Sequence, residues 1–154
     1  MLDRSLLSQV AIFGGLAEED LDRVRALLEE RRCDIGAVVC REGEPGHELF
    51  VIVEGRAEVT KRARDGVAVT LSELGPGDCF GETSLIGITV RTATVAALTP
   101  LELLTLPFAA VARLSAEQQP IFTMLVMNLA REVCRHLQHA NERLIEAGLE
   151  GERR

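Results

Sequence analysis

Nine of the thirteen glycines fall between residues 34 and 107, at positions 36, 43, 46, 55, 66, 75, 77, 81 and 87. They divide that stretch into short runs rich in Val, Ile, Leu and Thr, with a turn signal about every ten residues, which is the pattern of an antiparallel sandwich or barrel. The spacing predicts strands near 36–41, 48–53, 56–63, 67–74, 92–98 and 101–106. Leu49-Phe50-Val51-Ile52-Val53 reads as the most buried of them, and Asp65-Gly66 predicts a hairpin turn. A jelly roll is the expected closure.

Helical patterns flank this zone. Over residues 5–33, Leu16, Leu21, Val24, Leu27 and Leu28 recur at helical spacing, with acids early (Glu18, Glu19, Asp20) and Arg31 and Arg32 late, as the helix dipole favours. Over 108–147, Pro120 stands where it can open a helix. Phe122, Val126, Leu129, Val133, Leu137, Ala140 and Leu144 then follow as one apolar stripe. The stripe covers about 22 residues, roughly 33 Å, more than a small barrel can cover. Part of it is therefore expected to meet a second copy of the chain, giving a homodimer. Residues 148–154 read as a frayed tail. The expected class is α+β: one domain over 5–147, a β-roll flanked by an N-terminal helix and long C-terminal helices.

Charge and aromatic content narrow the function. Seventeen Lys and Arg against 24 Asp and Glu leave a net charge of −7, and there are five Phe but no Trp or Tyr. Such a surface repels duplex DNA and anionic lipid, and it lacks the stacking platforms that single-strand binders use. No run approaches the apolar length of a membrane span, and Met1-Leu2-Asp3-Arg4 lacks a basic stretch ahead of an apolar one, so a cytoplasmic location is expected. Cys33, Cys40, Cys79 and Cys134 are widely spaced and read as reduced, partly buried thiols.

One segment departs from the strand pattern. Gly75-Pro76-Gly77-Asp78-Cys79-Phe80-Gly81-Glu82-Thr83-Ser84-Leu85-Ile86 is turn-rich and then reads as a short helical start. Gly81 permits close backbone approach, and the amides that follow it would point outward together. Downstream, Val90-Arg91-Thr92-Ala93-Thr94-Val95 sets a lone Arg in buried-looking β-structure. A guanidinium there needs a carboxylate or a phosphate. From spacing alone, an ion pair with Glu82 or a surface acid and an anion site are both open.

Phe80-Gly81-Glu82-Thr83-Ser84-Leu85-Ile86 followed by Arg91-Thr92-Ala93-Thr94-Val95 resembles the phosphate-binding cassette of cyclic nucleotide-binding domains, here residues 80–95. That family includes the bacterial catabolite activator protein, regulatory subunits of cAMP-dependent protein kinase and cyclic nucleotide-gated channels. Glu42 to Gly55 is similar to the family's strand-and-turn pattern before the cassette, and the resemblance spans roughly residues 10–145. It implies cAMP or cGMP as the bound ligand, with no metal. Arg91 would fork onto the cyclic phosphate and Glu82 would accept from the ribose 2′-hydroxyl. Gly81, Thr83 and Ser84 would offer amides, and Thr92 a hydroxyl. The base would lie against Val59 and Leu74 from the roll, with Val133 and Leu137 at the lid positions of the long helix, although all four are equally explained as core or dimer seam.

Val90 stands where many members have Pro, and Gly87-Ile88-Thr89-Val90 is more apolar than usual. Thr92 replaces the Ala of kinase subunits; Arg-Thr is similar to cGMP-responsive kinases and pacemaker-type channels, though Thr also occurs in cAMP binders. The expectation is a sensor whose C-terminal helix moves on binding and signals through the dimer or an unidentified effector. A catabolite-activator-like transcription regulator would need a helix-turn-helix module after the stripe. A cupin-like metalloenzyme would need about three converging histidines, whereas only His47 lies among the strands, and His136 and His139 read as solvated helix residues.

Overall fold

The computed structural model describes residues 4–87 and 90–152; of the apolar connection at 87–90, Ile88 and Thr89 lie outside them. Eight strands form two four-stranded antiparallel sheets. β1 (Glu29–Cys33), β3 (Glu48–Glu54), β6 (Cys79–Phe80) and β8 (Leu101–Pro107) build one in the order β1-β8-β3-β6. β2 (Val38–Cys40), β4 (Ala57–Arg62), β5 (Ala68–Leu74) and β7 (Thr94–Ala97) build the other in the order β2-β7-β4-β5. The helices are α1 (Arg4–Gln9), α2 (Glu18–Arg25), a single turn α3 (Thr83–Ile86), α4 (Phe108–Glu117) and α5 (Gln119–Glu152). All six expected strands are present. The β4–β5 hairpin turns where Asp65-Gly66 predicts, with Gly66 at φ +84° and the Val67 amide donating to Asp65 Oδ1 at 3.0 Å.

The order of layers follows from the apolar runs. β3 is buried on both faces: Leu49 and Val51 pack towards the helices, while Phe50 and Ile52 pack into the roll. β8 does the same, with Leu104 and Leu106 on the helical side and Leu101 and Leu103 inside. The first sheet is thus the middle layer, with α1, α2, α4 and α5 on its outer face and the second sheet across the roll interior.

Three expectations need correction. The N-terminal helical zone does not run to residue 33: α2 stops at Arg25, and Glu29–Cys33 is the edge strand β1, which pairs with β8. Of the expected tail 148–154, residues 148–152 belong to α5, which continues through Glu152, and 153–154 lie outside the described residues. Cys134 is exposed rather than partly buried; the other three thiols are buried or half-buried, and all four cysteines are free. None of the described helices is long and apolar enough to cross a membrane.

Candidate functional site

The roll opens at one end into a cavity of about 400 Å³, within the range of small-molecule sites. Its apolar floor comes from Cys40, Val59, Leu71, Leu74, Phe80 and Val95. The segment from Asp78 to Thr83, Arg91, Thr92 and one face of α5 supply the polar walls. The cavity therefore joins the roll, the turn-rich segment and the long helix.

Arg91 is the most constrained group in it. The side chain is 6% exposed. Its Nη1 donates to Glu48 O at 2.9 Å and to Gly81 O at 3.4 Å, and Cζ stands 5.2 Å from the centre of the Phe50 ring. The ladder leaves Glu48 O free for one of these bonds: the Phe108 amide donates to His47 O, so the next carbonyl of β3 faces the β6 side, where that strand ends at Phe80. Among the described residues no carboxylate is within ion-pair distance of Arg91, so the pairing with Glu82 that spacing left open does not occur. A buried guanidinium with only carbonyls and a ring face around it is a cation still short of an anion.

Glycines make this arrangement possible. Gly81 takes φ +85°, and a Cβ there would lie 2.5 Å from Arg91 Nη1 and 3.0 Å from Glu48 O. At Gly46 a Cβ would fall onto Ser84 Oγ and 2.9 Å from Arg91 Cζ. The turn that carries Gly46 is pinned to the same arginine: the Arg91 amide donates to Glu44 O at 2.7 Å and the Gly43 amide to Arg91 O at 2.8 Å. The stretch before the cassette thus holds Arg91 in place through backbone alone.

Glu82, Thr83 and Ser84 behave differently from one another. Leu85 and Ile86 close α3 by donating to Glu82 O, so the amides just before them have no acceptor within the turn. Thr83 Oγ1 and Thr92 Oγ1 face each other at 3.5 Å on the cavity wall. Ser84 does not line the cavity: its hydroxyl is buried against Gly46 and donates to Val90 O at 3.4 Å. The buried Glu82 carboxylate meets α5, with Oε1 3.8 Å from His136 Nδ1.

α5 presents a face that shares only Leu129 and Ala140 with the predicted apolar stripe. Ile121, Leu125, Asn128, Leu129 and Glu132 are buried, and the same side continues as Arg135, His136, His139, Ala140 and Arg143 along the cavity. Val133 and Leu137 do not line it; Leu137 is 60% exposed. Val59 and Leu74 do. His136, read as solvated, is half-buried on the cavity wall, whereas His139 is exposed as expected, at the edge of the same wall. Arg135 ties the helix to the turn before β6, donating to Asp78 Oδ1 at 2.8 Å and to Glu132 Oε2 at 2.6 Å. Glu82 draws the His136 pKa above the ordinary imidazole value despite burial, which opposes the charge. Burial, then Glu82 and Glu132, push the Cys79 thiol up, so it stays protonated. Among the described residues no three His, Cys, Asp or Glu side chains group as metal ligands.

A cyclic nucleotide-binding domain model matches residues 30–118. The chain belongs to that family. It is 41% identical over 105 residues to a cAMP-dependent protein kinase regulatory subunit of Schizosaccharomyces pombe, a match covering 68% of the chain and 24% of that protein. Among solved structures it is similar to a cyclic nucleotide-binding domain from Methylobacillus flagellatus (TM-score 0.88, 20% identity, 94% of this chain and 83% of that one), a likeness of fold. It is also similar to the Thermus thermophilus catabolite activator protein (TM-score 0.76, 28% identity, 91% and 64%). The chain spans about a quarter of the kinase subunit, a fraction shared by the channel relatives of the family. The family match takes in the whole cassette and the strands that carry Val59 and Leu74, and it stops before the α5 residues on the cavity wall.

Proposed function

We propose that the chain is a cAMP- or cGMP-binding regulatory module, not an enzyme, with residues 5–147 as the working unit. Arg91 takes the cyclic phosphate, helped by the hydroxyls of Thr83 and Thr92 and the amides of Gly81, Thr83 and Ser84. Glu82 accepts from the ribose 2′-hydroxyl, and the base lies on Val59 and Leu74 beneath α5. The observation that carries this is Arg91, buried with no acid beside it at the wall of a cavity that fits one nucleotide. A cyclic phosphodiester brings one negative charge, which one guanidinium and a few oriented donors balance. The net charge of −7 favours a single nucleotide over a polynucleotide.

Output runs through α5, which is held to the roll by Arg135 on Asp78 and by His136 beside Glu82. A ligand moves that helix only by as much as it binds one helix position better than another. Val126, Leu137 and Leu144 leave an apolar stripe uncovered, which supports a homodimer along α5. Isothermal calorimetry of nucleotide-free protein with cAMP and with cGMP tests the core of the reading; saturable one-to-one binding of at least one is expected, and heat-silent titrations at millimolar concentrations of both would end it.

A further inference from the structure

His136 stands out because its two ring nitrogens are treated so differently. Nδ1 points to Glu82 Oε1 at 3.8 Å, an ion-pair distance, while Nε2 is buried from solvent with no hydrogen-bond partner. A buried nitrogen without a partner is costly, and more so when it carries a proton. In this helix position His136 is therefore half satisfied: an ion pair favours its charged form and an orphaned nitrogen opposes it.

The electrostatic surroundings decide which wins. Glu82 reaches it from the cassette, and Asp78 approaches from the turn before β6 through Arg135. Glu132, Arg135, His139 and Arg143 share its helix, and Arg91 and Glu73 face the same cavity. Beside His136 itself, Glu82 and Glu132 face the single charge of Arg135, so a proton on the imidazole balances that corner of the cavity, while Arg91 on the opposite wall meets the anion.

We propose that His136 is the positioning residue through which α5 registers an anion in the cavity: protonated, it holds the Glu82 carboxylate, and binding of the nucleotide phosphate draws a proton from solvent onto its imidazole. This rests on the cyclic-nucleotide reading above. The residue is not a phosphate ligand. It acts through Glu82 and through the helix on which it sits, so a protonation event at the cavity wall is also a change in how firmly α5 is held.

The linkage has a definite sign. If the bound state holds the proton more tightly than the free state, binding takes up protons and affinity is highest below the free-state pKa, declining as pH rises through the pKa of the bound state. Because Glu82 already raises the free value, the window lies above that of an ordinary histidine. One unit of further rise on binding corresponds to a tenfold fall in affinity across it.

The test is calorimetric titration of the full chain with cAMP and cGMP from pH 6 to 9, in paired buffers of different ionisation enthalpy. Wild type should take up a fraction of a proton per nucleotide and lose about three- to tenfold in affinity over that range. Both signals should vanish in His136→Gln, which hydrogen-bonds but does not titrate, and persist in His47→Gln on the outer surface. In wild type, the His136 ring resonance followed by NMR should titrate at higher pH with nucleotide than without, which needs no variant. Tight binding with zero proton uptake and flat affinity, or uptake retained in His136→Gln, overturns this assignment and leaves the nucleotide site standing. Absence of binding at every pH removes both.

Discussion

Replacing Arg91 with Met separates a structural guanidinium from a ligand-binding one, because Met keeps an aliphatic stem over the Phe50 ring and loses the charge. In the free protein the change deletes the bonds to Glu48 O and Gly81 O, at 2.9 and 3.4 Å, each worth about 1–3 kcal/mol. It also deletes a buried cation that has no acid beside it, a situation that costs about 3–5 kcal/mol when created by removing a partner. The contributions oppose one another, so the free variant should stay within about 2 kcal/mol of wild type. With nucleotide there is no such offset. Losing one side of a buried charge pair costs about 2–5 kcal/mol, or about 25- to 4,000-fold in affinity. Differential scanning calorimetry shows both effects in one experiment. At a ligand concentration of about 100 Kd, wild type gains about 2.7 kcal/mol, a rise of about 5–11 °C for a domain of this size. At the same concentration, a variant about 25-fold weaker retains a ratio of about four, about 1 kcal/mol, and rises by about 2–4 °C or less. A variant that unfolds more than about 10 °C below wild type yet shows the full nucleotide shift would refute the reasoning, since Arg91 would then be a structural strut.

Three further outcomes follow from the geometry. Gly46→Ala should lower stability by about 1–3 kcal/mol and weaken nucleotide binding about tenfold or more, because its methyl would fall on Ser84 Oγ and push at Arg91 Cζ, 2.9 Å away. Gly75→Ala, where a Cβ meets nothing within 4 Å, should be silent in both thermal melts and titrations. Leu137→Glu should turn a dimer into a monomer in sedimentation velocity without lowering the monomer's own stability, since that side chain is 60% exposed in the single chain. A wild type that sediments as a monomer at tens of micromolar would remove the dimer from the proposal.

The strands were legible where sequence and burial share a period. In Leu49 to Ile52, both faces are buried, so an unbroken apolar run marks a central strand. Gly66 and Gly81 were legible for a different reason, since both hold a left-handed backbone that other residues rarely adopt. β1 was not. Glu29-Glu30-Arg31-Arg32-Cys33 is an edge strand, and edge strands carry charge in place of alternation, so its two basic residues passed for the end of a helix. β6 has only two residues and no period at all. In the site, Arg91 announced itself as a charge among apolar neighbours, whereas the turn away of Ser84 depends on Gly46, which is distant in sequence.

The cavity face of α5 was hidden by the rule used to find helix faces. Periodicity follows apolar residues, and of the stripe Phe122, Val126, Leu129, Val133, Leu137, Ala140 and Leu144 only Leu129 is buried, while Val126, Leu137, Ala140 and Leu144 are exposed. The face that meets the roll runs one position earlier, through Ile121, Leu125, Glu132 and His136, and it turns polar where the cavity begins. One residue along an α-helix is a turn of about 100°. Two functional faces so offset on one rigid rod cannot move independently. A rotation that finds His136 Nε2 a partner, or that follows Glu82 as it accepts a ribose hydroxyl, turns Leu137 and Leu144 through the same angle. The polar face that lines the cavity and the apolar face that is left free are thus coupled by the helix itself, and the dimer seam proposed along α5 would receive the proposed signal without any further relay.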